Sequence, residues 1–232
     1  MKRNSLVMAF LLSCAASSFA QPSPADWPNL KRYQSSNAQV GAPAAGENRV
    51  VFYGDSITDA WIEVAPDFFK AKPYLDRGIS GQTTPQMLVR FRQDVIDLNP
   101  KVVVILAGTN DIAGNTGPST PEMIQDNFKS MVEIARANGV QPVLASILPA
   151  SDYPWKPGLE PGPKIASLNA WLKSYAEKNG LVYLDYYSVM VDDKLGLPAN
   201  LSKDGVHPNK EGYAIMGPLA EKAIAAAISQ RR

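Results

Sequence analysis

The run Lys101-Val102-Val103-Val104-Ile105-Leu106-Ala107 decides the fold. It is apolar from Val102 onward, largely β-branched, and shows no apolar–polar alternation. A strand with one wet face alternates; one buried on both faces does not, so this run belongs inside a parallel sheet covered on each side. Runs at 49–53, 74–77, 142–148 and 181–185 read as further strands of the same sheet.

Between these runs the apolar period changes to that of a helix. Thr84-Pro85 offers a cap and a first-turn proline, followed by Met87, Leu88, Phe91, Val95 and Leu98. Thr120-Pro121-Glu122 opens a second helix carrying Ile124, Phe128, Met131 and Ile134, which stops at Asn138-Gly139. A third bears Ile165, Leu168, Leu172 and Tyr175 and stops at Asn179-Gly180, and a last one spans about 209–228. Strands alternating with helices imply an α/β fold: a three-layer, doubly wound parallel sheet with right-handed crossovers. Such sheets bind ligands beyond the carboxyl ends of their strands. The proline-rich loop 149–163, with Tyr153 and Trp155, follows one such end and is placed to wall a site.

The ends of the chain divide it further. Residues 1–20 have a basic start at Lys2 and Arg3, a short apolar core, and Ser18-Phe19-Ala20 as a small-x-small cleavage site. The apolar core is too short to span a bilayer, so these residues read as an export signal and the protein as periplasmic or secreted. Leu11-Leu12-Ser13-Cys14 offers the alternative of a lipoprotein acylated on Cys14. Residues 21–48 read as a lead-in segment packed on the domain through Trp27, Leu30 and Tyr33, and 49–232 as the single domain. Cleavage after Ala20 leaves 212 residues without cysteine, and 21 basic against 22 acidic side chains. That balance gives no footing for nucleic acid or an anionic membrane as partner, and no disulfide or thiol nucleophile is available.

The chemistry starts from the single histidine, His207, in Asp204-Gly205-Val206-His207-Pro208. An unperturbed imidazole is the side chain that titrates near neutral pH, so it is the candidate general base. Ser56 follows the first strand in Gly54-Asp55-Ser56-Ile57-Thr58, which sets its hydroxyl at the carboxyl edge of the sheet and at a helix N-terminus. A serine needs a base to attack, and Asp204, three residues before His207, can orient the ring. Alone, Ser56 reads equally as a helix cap and His207 as a surface loop residue. Gly81, in Gly78-Ile79-Ser80-Gly81, can present an unobstructed backbone N–H. Asn110, in Gly108-Thr109-Asn110-Asp111, can present a side-chain amide. Turn glycines and a helix cap are the plainer reading of those two runs, and a structural role is the expectation for Asp55 and Asp111.

These four runs, in this order and spacing, closely resemble the four blocks of the SGNH hydrolases, also called GDSL esterases, over about 49–228. The resemblance implies a flavodoxin-like fold with Ser56 as nucleophile, His207 as base and Asp204 as its orienter. It implies an oxyanion hole from the backbone N–H groups of Ser56 and Gly81 and the side chain of Asn110. It also implies a cofactor-free esterase.

Other chemistries find little support. The chain has no Gly-x-Ser-x-Gly elbow, and one histidine with no mature cysteine argues against a zinc site. It has neither nucleotide-binding glycine signature, so no cofactor and no metal is expected. Short-chain esters, above all O-acetyl groups on carbohydrate, are the expected substrates, with Trp61, Tyr153 and Trp155 as aromatic walls. A lysophospholipase or thioesterase, an acetyltransferase, and an inert glycan-binding module on the same fold are the alternatives.

Overall fold

A computed structural model describes residues 26–230. The expected export signal at 1–20, Cys14 included, lies outside the described residues. The strands are β1 Val50–Gly54, β2 Tyr74–Gly78, β3 Val102–Leu106, β4 Gln141–Ala145 and β5 Val182–Leu184, and they pair in parallel in the order β2-β1-β3-β4-β5. The chain therefore starts in the middle of the sheet, steps to one side for β2 and returns to the other for β3. That order is flavodoxin-like and puts a crevice at the carboxyl ends of β1 and β3.

The helices are α1 Gln34–Val40, α2 Ser56–Asp59, α3 Trp61–Val64, α4 Thr84–Asp94, α5 Thr109–Ala113, α6 Pro121–Ala137, α7 Gly162–Lys178, α8 Tyr187–Met190 and α9 Lys210–Ser229. Strand side chains alternate between two cores, as the pleat requires. Val51, Tyr53, Val103, Ile105 and Leu144 pack against Met87 and Phe91 of α4, Phe128 and Met131 of α6, and Leu172 of α7. Val50, Phe52, Val102, Val104 and Val143 pack against Trp61 of α3 and Tyr213, Met216 and Ala220 of α9. Every residue of β1 and β3 is buried, the condition that their unalternating sequence demands.

Three local expectations need correcting. The cap of α4 is Thr83 rather than Thr84: it forms a capping box with Gln86, and Thr84 and Pro85 lie in the first turn. The apolar spacing that carries that helix on to Leu98 is met differently. The α-helix closes at Asp94, and a 3₁₀ turn, Ile96–Leu98, buries the last residues before Asn99 turns left-handed at φ 50°. The strand expected at 142–148 ends at Ala145: the Ser146 N–H still bonds the Leu184 carbonyl, but beyond it side chains take over the pairing. Ser146 Oγ accepts the Tyr186 and Tyr187 N–H groups, and the Asn169 amide closes a ring with Ile147 at 2.8 and 2.9 Å.

The lead-in segment is held by polar contacts more than by apolar ones. Trp27 is 48% exposed. The Tyr33 hydroxyl donates to the Gly78 carbonyl at the end of β2, and Asn37 links Asp94 to Arg77. Gln82 Nε2 donates to the Pro28 carbonyl at 2.7 Å. No helix among the described residues is long and apolar enough to cross a membrane.

Candidate active site

Ser56 is the first residue of α2, two positions beyond the end of β1. As a first-turn residue its N–H has no intrahelical acceptor and points out of the helix end. Asp55 caps that helix: its Oδ1 accepts from the Ile57 N–H at 3.0 Å. Burial pushes the Asp55 carboxyl up to about 7, against the bond from Ile57 and the nearness of His207, which pull it down. The close strand-to-helix turn depends on Gly54, where a Cβ would sit 2.1 Å from Thr58 Oγ1 and 2.7 Å from the Leu106 carbonyl oxygen.

His207 arrives from the other end of the chain on a loop that braces itself before α9. The Asp204 Oδ1 accepts the N–H groups of Val206 at 3.0 Å and His207 at 2.8 Å, while Ser202 Oγ accepts from Gly205 and donates to the His207 carbonyl. The three-residue spacing is thus a tight loop, not a helical turn. It leaves Asp204 Oδ2 2.7 Å from His207 Nδ1, and Ser56 Oγ 2.9 Å from His207 Nε2. A carboxylate only accepts, so Nδ1 carries the ring proton and Nε2 offers its lone pair to the Ser56 hydroxyl. Burial alone would raise the Asp204 carboxyl, but the bonds from the His207 backbone and ring and from Val206 outweigh it and hold it down at about 2. Asp204 is therefore ionised at neutral pH. This arrangement can remove a proton from Ser56 as it attacks and return it to a leaving group.

The expected oxyanion donors come from the loops after β2 and β3, the two neighbours of β1. Gly81 sits at φ +78°, and a Cβ there would meet nothing within 4 Å, so backbone conformation rather than space calls for glycine. Asn110 is buried, and one N–H of its Nδ2 is already committed to the Gln82 carbonyl at 3.0 Å. Its second N–H is the one free to face an oxyanion. The two loops are stitched together elsewhere. Asp111 accepts from the Thr84 N–H at 3.1 and 3.0 Å and from its hydroxyl at 2.6 Å, and Thr83 and Thr116 hydroxyls meet at 2.9 Å. Asp111 is structural, as expected, but it caps the distant α4 rather than its own short helix.

Of the three aromatic walls expected, the structure places one beside the candidate triad. Trp61 is 2% exposed and stacks between Phe68 and Tyr213 on the α9 side of the sheet, so it is core and not a wall. Tyr153 is fully buried, with its hydroxyl 2.8 Å from Thr109 Oγ1, and serves as the platform on which Trp155 stacks at 4.9 Å. Trp155 is 44% exposed, with its ring centre 6.1 Å from that of His207.

Two supporting residues escaped the sequence reading. Arg90 is fully buried on α4 and spans the ends of β1 and β2. It donates to the Gly54 carbonyl at 3.0 Å, the Arg77 carbonyl at 2.9 Å, Gln82 Oε1 at 2.5 Å and Asp94 at 3.1 Å. Its signal was a charged pair, Arg90 and Asp94, set among the apolar residues of α4. Asn115 lies beside Asn110 and carried no signal beyond its place in a glycine-flanked turn. Among the described residues, no cluster of three or more metal-ligating side chains could hold an ion.

Comparison with known proteins agrees with this geometry. The family model for GDSL-like lipases and acylhydrolases matches residues 52–215. A solved structure from Bacteroides fragilis, designated an acylhydrolase, is 49% identical, with a TM-score of 0.85 over 87% of this chain and 98% of that one. A GDSL-like lipase from Bacteroides thetaiotaomicron is 47% identical, with a TM-score of 0.84 over 87% and 99%. An uncharacterized lipoprotein of Bacillus subtilis is 31% identical over 127 residues, covering 47% of this chain, and the match spans about half that relative's length, 52%. The chain belongs to the GDSL-like lipase/acylhydrolase family, the SGNH hydrolases, and is a hydrolytic esterase.

Proposed function

We propose that the protein is an exported serine esterase that removes short acyl groups, O-acetyl above all, from carbohydrate. The observation that carries this reading is the relay from Ser56 Oγ through His207 to Asp204, at 2.9 and 2.7 Å. Ser56 Oγ attacks the ester carbonyl carbon while His207 Nε2 takes its proton. The oxyanion is held by the N–H groups of Ser56 and Gly81 and by Asn110. As the tetrahedral intermediate collapses, the C–O bond to the alcohol breaks and His207 returns the proton to it. Water, deprotonated by His207, then releases the acid from Ser56 and restores the hydroxyl.

Three features support a short acyl group on a bulky alcohol. The relay lies open at the surface, with the His207 and Asp204 side chains 34% and 40% exposed. An apolar cavity of about 380 Å³ lined by Ile112, Ile124, Pro163 and Leu168 includes none of Ser56, Gly81, Asn110 or His207. Trp155, half-exposed beside His207, offers a flat face to a sugar ring. The sequence of 1–20 and the lipoprotein relative support export.

The test is hydrolysis of p-nitrophenyl esters from acetate to octanoate and of acetylated oligosaccharides, by the parent and Ser56→Ala in parallel. Turnover greatest on acetyl substrates and abolished in the variant is expected. A rate rising toward octanoate would favour a lysophospholipase or thioesterase instead, and turnover surviving in Ser56→Ala would overturn the serine mechanism.

A further inference from the structure

We infer that Asn115 is a positioning residue that sets the Asn110 amide for catalysis and couples it to the substrate-facing Trp155. This inference rests on the esterase reading and on Asn110 as an oxyanion donor.

A primary amide can sit either way round, and only one of the two orientations serves an oxyanion. In Asn110 both ends are specified. Its Nδ2 donates to the Gln82 carbonyl at 3.0 Å, and its Oδ1 accepts from Asn115 Nδ2 at 2.8 Å. Rotating the Asn110 amide by half a turn would put its oxygen against the Gln82 carbonyl oxygen and its NH₂ against the Asn115 NH₂. Each contact would then be repulsive. With the amide so fixed, the remaining Nδ2 hydrogen has one direction left to it. A donor on Oδ1 also polarises the amide and makes that hydrogen a stronger donor.

Asn115 itself is held on three sides. Its backbone N–H donates to the Asn110 carbonyl at 3.0 Å, so the two residues stay adjacent whatever the side chain does. Its Nδ2 lies 3.3 Å from the Gly81 carbonyl, which ties together the two loops that supply oxyanion donors. Its Oδ1 accepts from the Trp155 indole at 3.3 Å. The two 3.3 Å contacts are long and contribute less than the 2.8 Å bond to Asn110. A substrate that shifts Trp155 therefore acts on the oxyanion donor through one intervening side chain.

The experiment is a double-mutant cycle on p-nitrophenyl acetate with the parent, Asn115→Ala, Asn110→Ala and the double variant, with melting temperatures recorded. Removing an oxyanion donor outright costs about 10²–10³ in kcat, and removing its orienter is expected to cost about tenfold with KM nearly unchanged. In the Asn110→Ala background the same change is expected to cost less than about twofold, because the residue through which it acts is gone. Asn115→Asp keeps the acceptor for Trp155 but sets a carboxylate against Asn110 Oδ1, and is expected to lose more kcat than Asn115→Ala. A second readout is the rate at which Ser56 Oγ displaces p-nitrophenolate from an activated phosphonate, forming an O–P bond whose anionic oxygen occupies the same hole. That rate is expected to fall in parallel with kcat.

Equal losses from Asn115→Ala in both backgrounds, or a rise in KM with kcat intact, would overturn the inference while leaving the esterase reading standing. A parent with neither turnover nor phosphonylation of Ser56 would overturn both.

Discussion

At the residue scale the relay is finished by Asp204, whose two oxygens do different work. Oδ1 is consumed by the loop's own N–H groups, and Oδ2 faces the His207 ring. Asp204→Asn keeps an oxygen for the loop but presents an NH₂ to Nδ1, which favours the tautomer with its proton on the wrong nitrogen. For a buried aspartate that error costs about 10⁴ in kcat. Asp204 is 40% exposed, so water can share the role, and the expected loss is about 10²–10³ with little change in KM. Steady-state kinetics on p-nitrophenyl acetate check it, and a loss below about threefold would remove Asp204 from the mechanism. Of the residue-scale features, the Ser56–His207–Asp204 relay was legible because each chemistry-bearing type stands in a short distinctive run. Trp61 was misjudged because an aromatic side chain near a nucleophile looks alike in sequence whether it turns toward solvent or into the core. Here α3 turns it onto Phe52, Phe68 and Tyr213.

At the element scale the site depends on adjacent strand ends being held at one level, and Arg90 clamps two of them, β1 and β2. Its planar guanidinium reaches the Gly54 and Arg77 carbonyls, Gln82 and Asp94 at once, with Tyr53 beneath it at 4.2 Å. A lysine ammonium is a point donor and cannot span these four acceptors. Arg90→Lys is therefore expected to cost about 3 kcal/mol in chemical denaturation, through buried acceptors left unpaired, and to slow turnover by loosening the loop that carries Gly81. Unchanged stability would show the clamp to be dispensable. The strands and longer helices were legible from periodicity, since burial on both faces or on one stripe writes itself into the order of apolar residues. Their ends were less so. Whether residues after Ala145 extend a strand depends on Asn169 and Ser146, which are distant in sequence or indistinct in it. Arg90 was only half legible for a similar reason: Asp94 stands one turn away in the sequence, but two of its four partners are backbone carbonyls, which no sequence displays.

At the scale of the whole molecule, buried carboxyls set how stability depends on pH. Burial raises both Asp55 and Asp76 from 3.8 to about 7, Asp76 also feeling the charge of Asp59. The Asp76 Oδ2 is buried without a hydrogen-bond partner, so its charged form is poorly met. A carboxyl raised in the folded state stabilises the fold below its unfolded value, and that stabilisation is lost as pH rises through about 7. Asp204 runs the other way: its contribution is present above 3.8 and lost as pH falls through about 2. Thermal melting is therefore expected to be highest near about pH 4, to decline as pH rises to about 7, and to level off above that. Asp76→Asn is expected to flatten that decline and to raise the melting temperature mainly at the alkaline end. A parent melting temperature that climbs between about pH 4 and pH 7 would contradict this assignment.

In the proposed mechanism Ser56 carries the acyl group between the two halves of the reaction. The most direct test is to mix the parent with p-nitrophenyl acetate, quench in acid within the first turnovers and locate the acetyl group by peptide mass spectrometry, with His207→Ala and Ser56→Ala alongside. Acetyl is expected on the peptide containing Ser56 in the parent, with far slower acetylation without His207 and none without Ser56. Sustained turnover with Ser56 never acetylated, or acetylation of another residue in step with turnover, would contradict the mechanism.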